Sequence, residues 1–318
     1  MKVVVAYDLG EAFVEDLRKT FPSVDFRPCY TVEEQLREVP DAEVQFGIIS
    51  REVYLAGKKL RWFHFIGIGF DTILKKVPEI VANDLLMTNA RQTHVVPMAD
   101  HVFAMMLALA RHVPELIEDQ RAHRWDTLKY FGRTKELSGT TMGIVALGDI
   151  GRAVAQRARG FDIDVYAVDI KTMDPPPGVR EVWGVERIDD LMAISDWLVV
   201  TAPLTSQTRG MIDRGRIERL KHGSIVVVIS RGSIVDEEAL VDALRSGKVA
   251  GAGLDVFSEE PLPAESPMWD VPNLLITPHV SAESPQLWER RKAVFKENLR
   301  RFLSDENLLN VCDKKLGY

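Results

Sequence analysis

The chain has 318 residues, 46% of them hydrophobic and 27% charged, which is enough for two globular domains and too apolar for a disordered chain. With 47 acidic against 40 basic side chains the formal net charge is −7, so the expected ligand is a small molecule, with no nucleic acid and no membrane surface as partner. Cys29 and Cys312 are the two cysteines and form no Cys-x-x-Cys pair, which argues against a disulfide framework and a thiolate metal site. The apolar run within Met1 to Asp8 is too short for a signal-peptide core and reads as a first strand; the expected compartment is the cytoplasm.

From Met1 to about Pro97, β-branched and aromatic runs alternate with helical patterns. The runs are Val3 to Val5, Phe46 to Ile49, Phe63 to Ile66 and Leu85 to Met87, with helices expected over Glu11 to Thr20 and Thr31 to Val39. That alternation predicts βαβ units and a parallel sheet. Two helical segments follow, Met98 to Arg111 and Pro114 to Arg124; the first is broken by Asp100 and His101 and falls short of the roughly 20 residues of a membrane span. A second parallel sheet is then expected from Met142 to Leu147, Ile163 to Val168, Trp197 to Thr201, Ser224 to Ile229, Ala250 to Asp255 and Leu274 to Ile276. Pro175 to Pro177 reads as a stiff loop, and Ser284 to Phe302 as an amphipathic helix. After that helix the tail Leu308 to Val311 suggests that the chain returns to its first domain.

The stretch Thr141 to Asp169 carries a dinucleotide-binding pattern. A strand leads into Ala146-Leu147-Gly148-Asp149-Ile150-Gly151, which opens a helix. Gly148 occupies the place where backbone approaches a pyrophosphate, and Gly151 the place where helix and strand pack closely, while the helix N-terminus offers N–H donors. Ala146 stands where the first glycine of the fingerprint usually makes the tight turn. Asp169 ends the next strand, where an acid binds the adenosine ribose hydroxyls and repels a 2′-phosphate, so NAD is expected rather than NADP, with Lys171 close enough to allow some NADP use.

Arg231, Glu260 and His279 each follow a strand of the second sheet, at the end where a doubly wound fold places its ligand crevice. Singly each has an ordinary reading: Arg231 in a turn, Glu260 solvated in a Pro-rich loop, His279 capping a helix. Jointly they suit hydride transfer to a 2-oxo acid, with arginine's fork on a carboxylate, histidine as proton donor and glutamate as its partner. The remaining histidines (His64, His94, His101, His112, His123 and His222) show no metal-ligand spacing and read as structural, with His94 the one placed to reach a cleft; no metal is expected. Trp125, Trp269 and Trp288 read as core or interface residues, and Ser230 has no paired base for a hydrolase.

The runs Ile229 to Glu237, Gly253 to Pro263 and Thr277-Pro278-His279, with Gly67 to Asp71 and Ala99 to His101, resemble the signature blocks of the D-2-hydroxyacid dehydrogenase family over nearly the whole chain. The resemblance implies an α/β fold of two doubly wound parallel-sheet domains, a Rossmann NAD-binding domain (98–282) inserted into a discontinuous flavodoxin-like substrate domain (1–97 and 283–318). It implies that Arg231 binds substrate carboxylate and carbonyl, that Glu260 pairs with His279 and that His279 is the acid/base. Asp149 and Ile150 would cover the pyrophosphate and Asp255 hold the nicotinamide carboxamide. The other positions implied at the cofactor are Ala202, Pro203, Ile229, Ser230, Ser281 and Ala282, and backbone N–H groups at Ile68 and Gly69 would meet the substrate carboxylate. Catalysis in such proteins occurs in an interdomain cleft, and a homodimer through the helices at Met98 to Arg124 is implied. Two departures stand out: Ala146, and Ser281-Ala282-Glu283 where many members have a glycine after the histidine. Formate dehydrogenases look similar but carry an amide where Glu260 stands, phosphite oxidation is compatible with the triad, and an NADH-sensing corepressor-like binding protein of the same fold is the alternative.

Overall fold

The computed structural model describes residues 1–314; residues 315–318, the end of the expected discontinuous domain, lie outside the described residues. The chain divides into two compact units, one formed by residues 1–93 and the segment from Ser284 onward, the other by His94–Glu283. Each holds an all-parallel sheet.

Unit 1 contains strands β1 (Lys2–Ala6), β2 (Asp25–Pro28), β3 (Val44–Gly47), β4 (Trp62–Phe65) and β5 (Leu86–Asn89) in the order β2-β1-β3-β4-β5. This is the flavodoxin-like order. The sequence reading missed β2, because this edge strand buries only Phe26 and ends in Pro28, so it lacks the two-faced apolar run of its neighbours. The helix Val32–Glu38 starts where Thr31 and Glu34 form a reciprocal capping box. The return of the chain is a 19-residue helix, Pro285–Leu303, begun by the Ser284 side chain accepting from the Leu287 N–H with Pro285 in the first turn. Its Phe295 is fully buried, stacked on Phe46 at 4.1 Å between ring centres and on Trp62 at 5.8 Å. The tail then pairs with β5: the Cys312 N–H donates to the Met87 carbonyl, and Thr88 and Val311 form an antiparallel bridge.

Unit 2 contains β6 (Thr141–Val145), β7 (Asp164–Val168), β8 (Glu181–Trp183), β9 (Trp197–Val200), β10 (Ser224–Val228), β11 (Val249–Leu254) and β12 (Leu274–Ile276). Their order is β12-β11-β10-β9-β6-β7-β8, so the chain runs outward from β6 on one side and then crosses to the other. The three-residue edge strand β8 was not foreseen. Along β9 and β10 alternate residues feed two cores: Leu198, Val200, Val226 and Val228 point into one, Trp197, Val199, Ile225 and Val227 into the other. The helix Val95–Ala110 covers the second face through Met98, Val102, Met105 and Met106. It begins three residues before the expected start, because Pro97 falls in the first turn, where a backbone N–H has no partner to lose. The unit boundary accordingly falls before this helix rather than inside it.

Candidate functional site

Parallel strands in register bring their C-terminal ends to one edge of the sheet. Val145 pairs with Val168 and with Val200, Val200 with Val228, Val228 with Leu254 and Leu254 with Ile276. The residues just past those ends, Asp169, Ala146, Thr201, Ile229, Asp255 and Thr277, therefore line a single edge, and Arg231, Glu260 and His279 lie in the loops that leave it. The turn after β6 sits at the reversal of strand order, the place where open α/β sheets bind ligands.

At that turn Ala146 adopts φ +73, the left-handed backbone for which the fingerprint normally uses glycine. The turn is tied from two sides: Thr201 Oγ1 donates to the Ala146 carbonyl at 2.7 Å, and the Leu147 N–H donates to Asp169 Oδ2 at 2.7 Å. The other oxygen of Asp169 accepts from the Lys171 N–H at 2.8 Å, so this half-exposed carboxylate is fixed from both ends. A Cβ on Gly151 would stand 2.5 Å from the Ala146 carbonyl oxygen, a packing requirement. A Cβ on Gly148 would meet no protein atom within 4 Å, so this glycine answers no packing need and suits a backbone that a ligand must approach. Asp149 opens the ten-residue helix Asp149–Ala158 immediately after it, followed by Ile150. These features fit a dinucleotide diphosphate at the helix N-terminus and a ribose at Asp169. Ala202 and Ile229 bury their side chains in the core and can offer only backbone to a ligand; Pro203 is exposed, and its carbonyl accepts from Thr208 Oγ1.

His279 Nδ1 lies 2.7 Å from Glu260 Oε2. A carboxylate only accepts, so Nδ1 carries the hydrogen and Nε2, across the ring, is the nitrogen available to a substrate. The other oxygen of Glu260 accepts from the Phe257 N–H at 2.9 Å, which folds the acid back over its own loop. That loop is anchored by Glu237, whose carboxylate accepts from the N–H and the hydroxyl of Ser258, both at 2.6 Å. Arg231 enters a short 3₁₀ turn, Gly232–Ile234, pressed against the same loop: a Cβ on Gly232 would come within 2.1 Å of the Phe257 backbone. The Arg231 guanidinium donates to the Ser230 carbonyl at 2.8 Å.

His279 is itself in the left-handed region, at φ +54. Asp255 holds it there. The Asp255 carbonyl accepts the His279 N–H at 2.9 Å, and its carboxylate, 0% exposed, accepts the next two amides, Val280 at 2.9 Å and Ser281 at 3.0 Å, besides the Thr277 hydroxyl at 2.6 Å. This clamp was invisible in the sequence, where Asp255 carried only the expectation of a carboxamide contact. Ser281 is buried beneath it, and Ala282 packs at the margin of the core. Ile68 and Gly69 belong to unit 1, where the Ile68 carbonyl accepts from Asn89 Nδ2 at 2.6 Å. No group of three His, Cys, Asp or Glu side chains suited to a metal occurs among the described residues, and none of their helices is long and apolar enough to cross a membrane.

Residues 103–281 match the family model described as the D-isomer specific 2-hydroxyacid dehydrogenase NAD binding domain. The chain belongs to this family. It is 34% identical to a D-3-phosphoglycerate dehydrogenase of Archaeoglobus fulgidus over 89% of its own length, spanning only 54% of that relative. It is 33% identical to a glyoxylate/hydroxypyruvate reductase B of Pectobacterium carotovorum over 94% of this chain and 91% of the relative. Among solved structures, a D-isomer specific 2-hydroxyacid dehydrogenase of Xanthobacter autotrophicus in complex with NADPH and MES superposes with a TM-score of 0.84, at 29% identity, covering all of this chain and 99% of the other. The family's two-sheet architecture and its NAD-binding domain are thus present in this chain.

Proposed function

We propose that this chain is an NAD-dependent D-2-hydroxyacid dehydrogenase that interconverts a small 2-oxo acid and its D-2-hydroxy acid, with His279 as acid/base. The observation that carries the reading is the 2.7 Å pair between His279 Nδ1 and Glu260 Oε2, which orients the ring and leaves Nε2 as the nitrogen for a substrate oxygen. The bound nicotinamide would supply the hydride in reduction and accept it in oxidation. In reduction His279 Nε2 gives its proton to the carbonyl oxygen, and Glu260 stabilises the imidazolium that precedes this transfer. Arg231 binds the substrate carboxylate and polarises its carbonyl, Ile68 and Gly69 add backbone donors, and unit 1, residues 1–93 with the segment from Ser284 onward, is the substrate-binding domain.

Gly148, Asp149, Ile150 and Gly151 would take the diphosphate, Asp169 the ribose hydroxyls, and Ala202, Pro203, Ile229, Ser230, Asp255, Ser281 and Ala282 the rest of the cofactor. NAD is favoured because a carboxylate held by two backbone amides cannot swing away from a 2′-phosphate. The similar Xanthobacter protein was crystallised with NADPH, so the preference rests on Asp169 and not on the fold. Glyoxylate and hydroxypyruvate are the first substrates to try, since a similar reductase is named for them. The binding-protein reading draws no support from these relatives, which are named as dehydrogenases and reductases.

A second copy of the chain is the expected partner. Trp125, 97% exposed, stands with Leu128 and Phe131 on a segment braced by Asp119, which accepts from Arg124, Lys129 and Tyr130. Sedimentation of the intact chain and of Trp125→Glu checks this; a monomeric wild type would refute it.

The decisive experiment incubates purified protein with NADH and glyoxylate, hydroxypyruvate, pyruvate or bulkier 2-oxo acids, and with NAD and formate or phosphite. Loss of NADH absorbance with at least one 2-oxo acid is expected, and none with any of them would sink the reading. Asp169→Asn removes the charge and leaves one of the two oxygens that accept the Leu147 and Lys171 amides, so it should raise the KM for NAD relative to that for NADP; an unchanged ratio would refute the assignment.

A further inference from the structure

We propose that Thr277 and His101 are positioning residues for His279, acting through the buried carboxylate of Asp255; the proposal rests on the reading of His279 as acid/base. Three elements of unit 2 meet at this point. Asp255 follows β11, Thr277 follows β12, and His101 comes from the helix Val95–Ala110 that packs on the sheet. Thr277 Oγ1 lies 2.6 Å from Asp255 Oδ1 and 3.0 Å from His101 Nε2. The directions are forced. A carboxylate cannot donate, so the threonine hydrogen points at Asp255, and its oxygen must then accept from His101 Nε2–H. His101 is thereby held as the Nε2–H form, with Nε2 3.9 Å from the same carboxylate oxygen.

This chain matters because of what Asp255 does. A fully buried carboxylate is stable only when its lone pairs are filled. Asp255 Oδ1 is shared between the Thr277 hydroxyl and the Val280 N–H, and Oδ2 takes the Ser281 N–H. Those two amides immediately follow His279, whose φ of +54 is a conformation that a non-glycine residue keeps only when its surroundings impose it. Without the Thr277 hydroxyl, Oδ1 keeps one of these two donors and His101 loses its acceptor, so the carboxylate is free to turn and the clamp on 280 and 281 loosens. Neither Thr277 nor His101 touches Glu260 or the ring of His279 in the contacts described; their effect passes through the backbone.

The test compares Thr277→Val, Thr277→Ser, His101→Phe and the Thr277→Val/His101→Phe double variant in the full chain. Amide hydrogen exchange at Val280 and Ser281 should speed up about tenfold in Thr277→Val, less in His101→Phe, and return to wild type in Thr277→Ser. With a 2-oxo acid that the wild type reduces, kcat should fall roughly 10- to 100-fold in Thr277→Val and return toward wild type in Thr277→Ser. The double variant should be no slower than Thr277→Val, because the residues act in series. Wild-type exchange rates at Val280 and Ser281 in both Thr277→Val and His101→Phe would overturn the proposal, as would a kcat loss that Thr277→Ser does not restore. If the wild type reduces no 2-oxo acid, the functional reading fails on that result, and the exchange measurement still decides whether Thr277 and His101 hold this loop.

Discussion

Ala146 and Gly148 stand two residues apart in the cofactor turn and ask opposite things of a methyl group. At Ala146 the methyl is carried on a left-handed backbone, which costs an L-residue roughly 1–2 kcal/mol, partly offset because glycine gives up about 0.5–1 kcal/mol more chain entropy. Ala146→Gly should therefore raise the melting temperature by a few degrees, about what 1 kcal/mol gives a chain of this size; calorimetry showing a fall would refute the strain. Gly148→Ala should leave the melting temperature unchanged, since the new methyl touches no protein atom, and weaken NADH binding in a fluorescence titration. Unchanged affinity would remove Gly148 from the proposed diphosphate site. The substitution at 146 was legible in the sequence, and so were Glu260 and His279, because each follows a strand with a clear pattern. The chain from Asp255 to His101 was not, because Thr277 and His101 are 176 positions apart and only the folded helix brings them together.

Elements were legible where both faces are buried. β9 and β10 are continuous apolar runs, and their buried strings match that reading. Edge strands β2 and β8 were lost because an edge needs apolar side chains on one face at most, leaving no run to detect. The final helix was legible as an amphipathic segment, but its destination was only inferred from the tail. Its contribution can be measured at one residue. Phe295 is fully enclosed by Phe13, Phe46, Trp62 and His64, so Phe295→Ala should cost about 3–5 kcal/mol by loss of contact and the cavity left behind. Denaturant titration of the variant checks the figure, and a loss below about 1 kcal/mol would show that the helix is not integral to this core.

The molecule as a whole should respond to acid through His64, which is fully buried among Phe46, Trp62 and Phe295 with Nδ1 2.8 Å from Thr88 Oγ1. Burial pushes its pKa down from 6.5 to about 3. The folded chain thus keeps this ring neutral where the unfolded chain protonates it. The stabilisation is complete above about 6.5 and is lost as pH falls toward 3, at about 1.4 kcal/mol per pH unit. Melting curves at pH 7, 6, 5 and 4 should show a steeper decline for wild type than for His64→Phe; equal slopes would refute the assignment. The same core also sets a timetable for synthesis. The ribosome delivers β1 to β5 first, yet Phe295, which closes over Phe46 and Trp62, emerges only after the whole of unit 2. At roughly 5–20 residues per second, those intervening 200 or so residues take about 10–40 s. For that time Phe46 and Trp62 lack the ring that closes over them, so the N-terminal sheet carries an open aromatic face until the last helix is made.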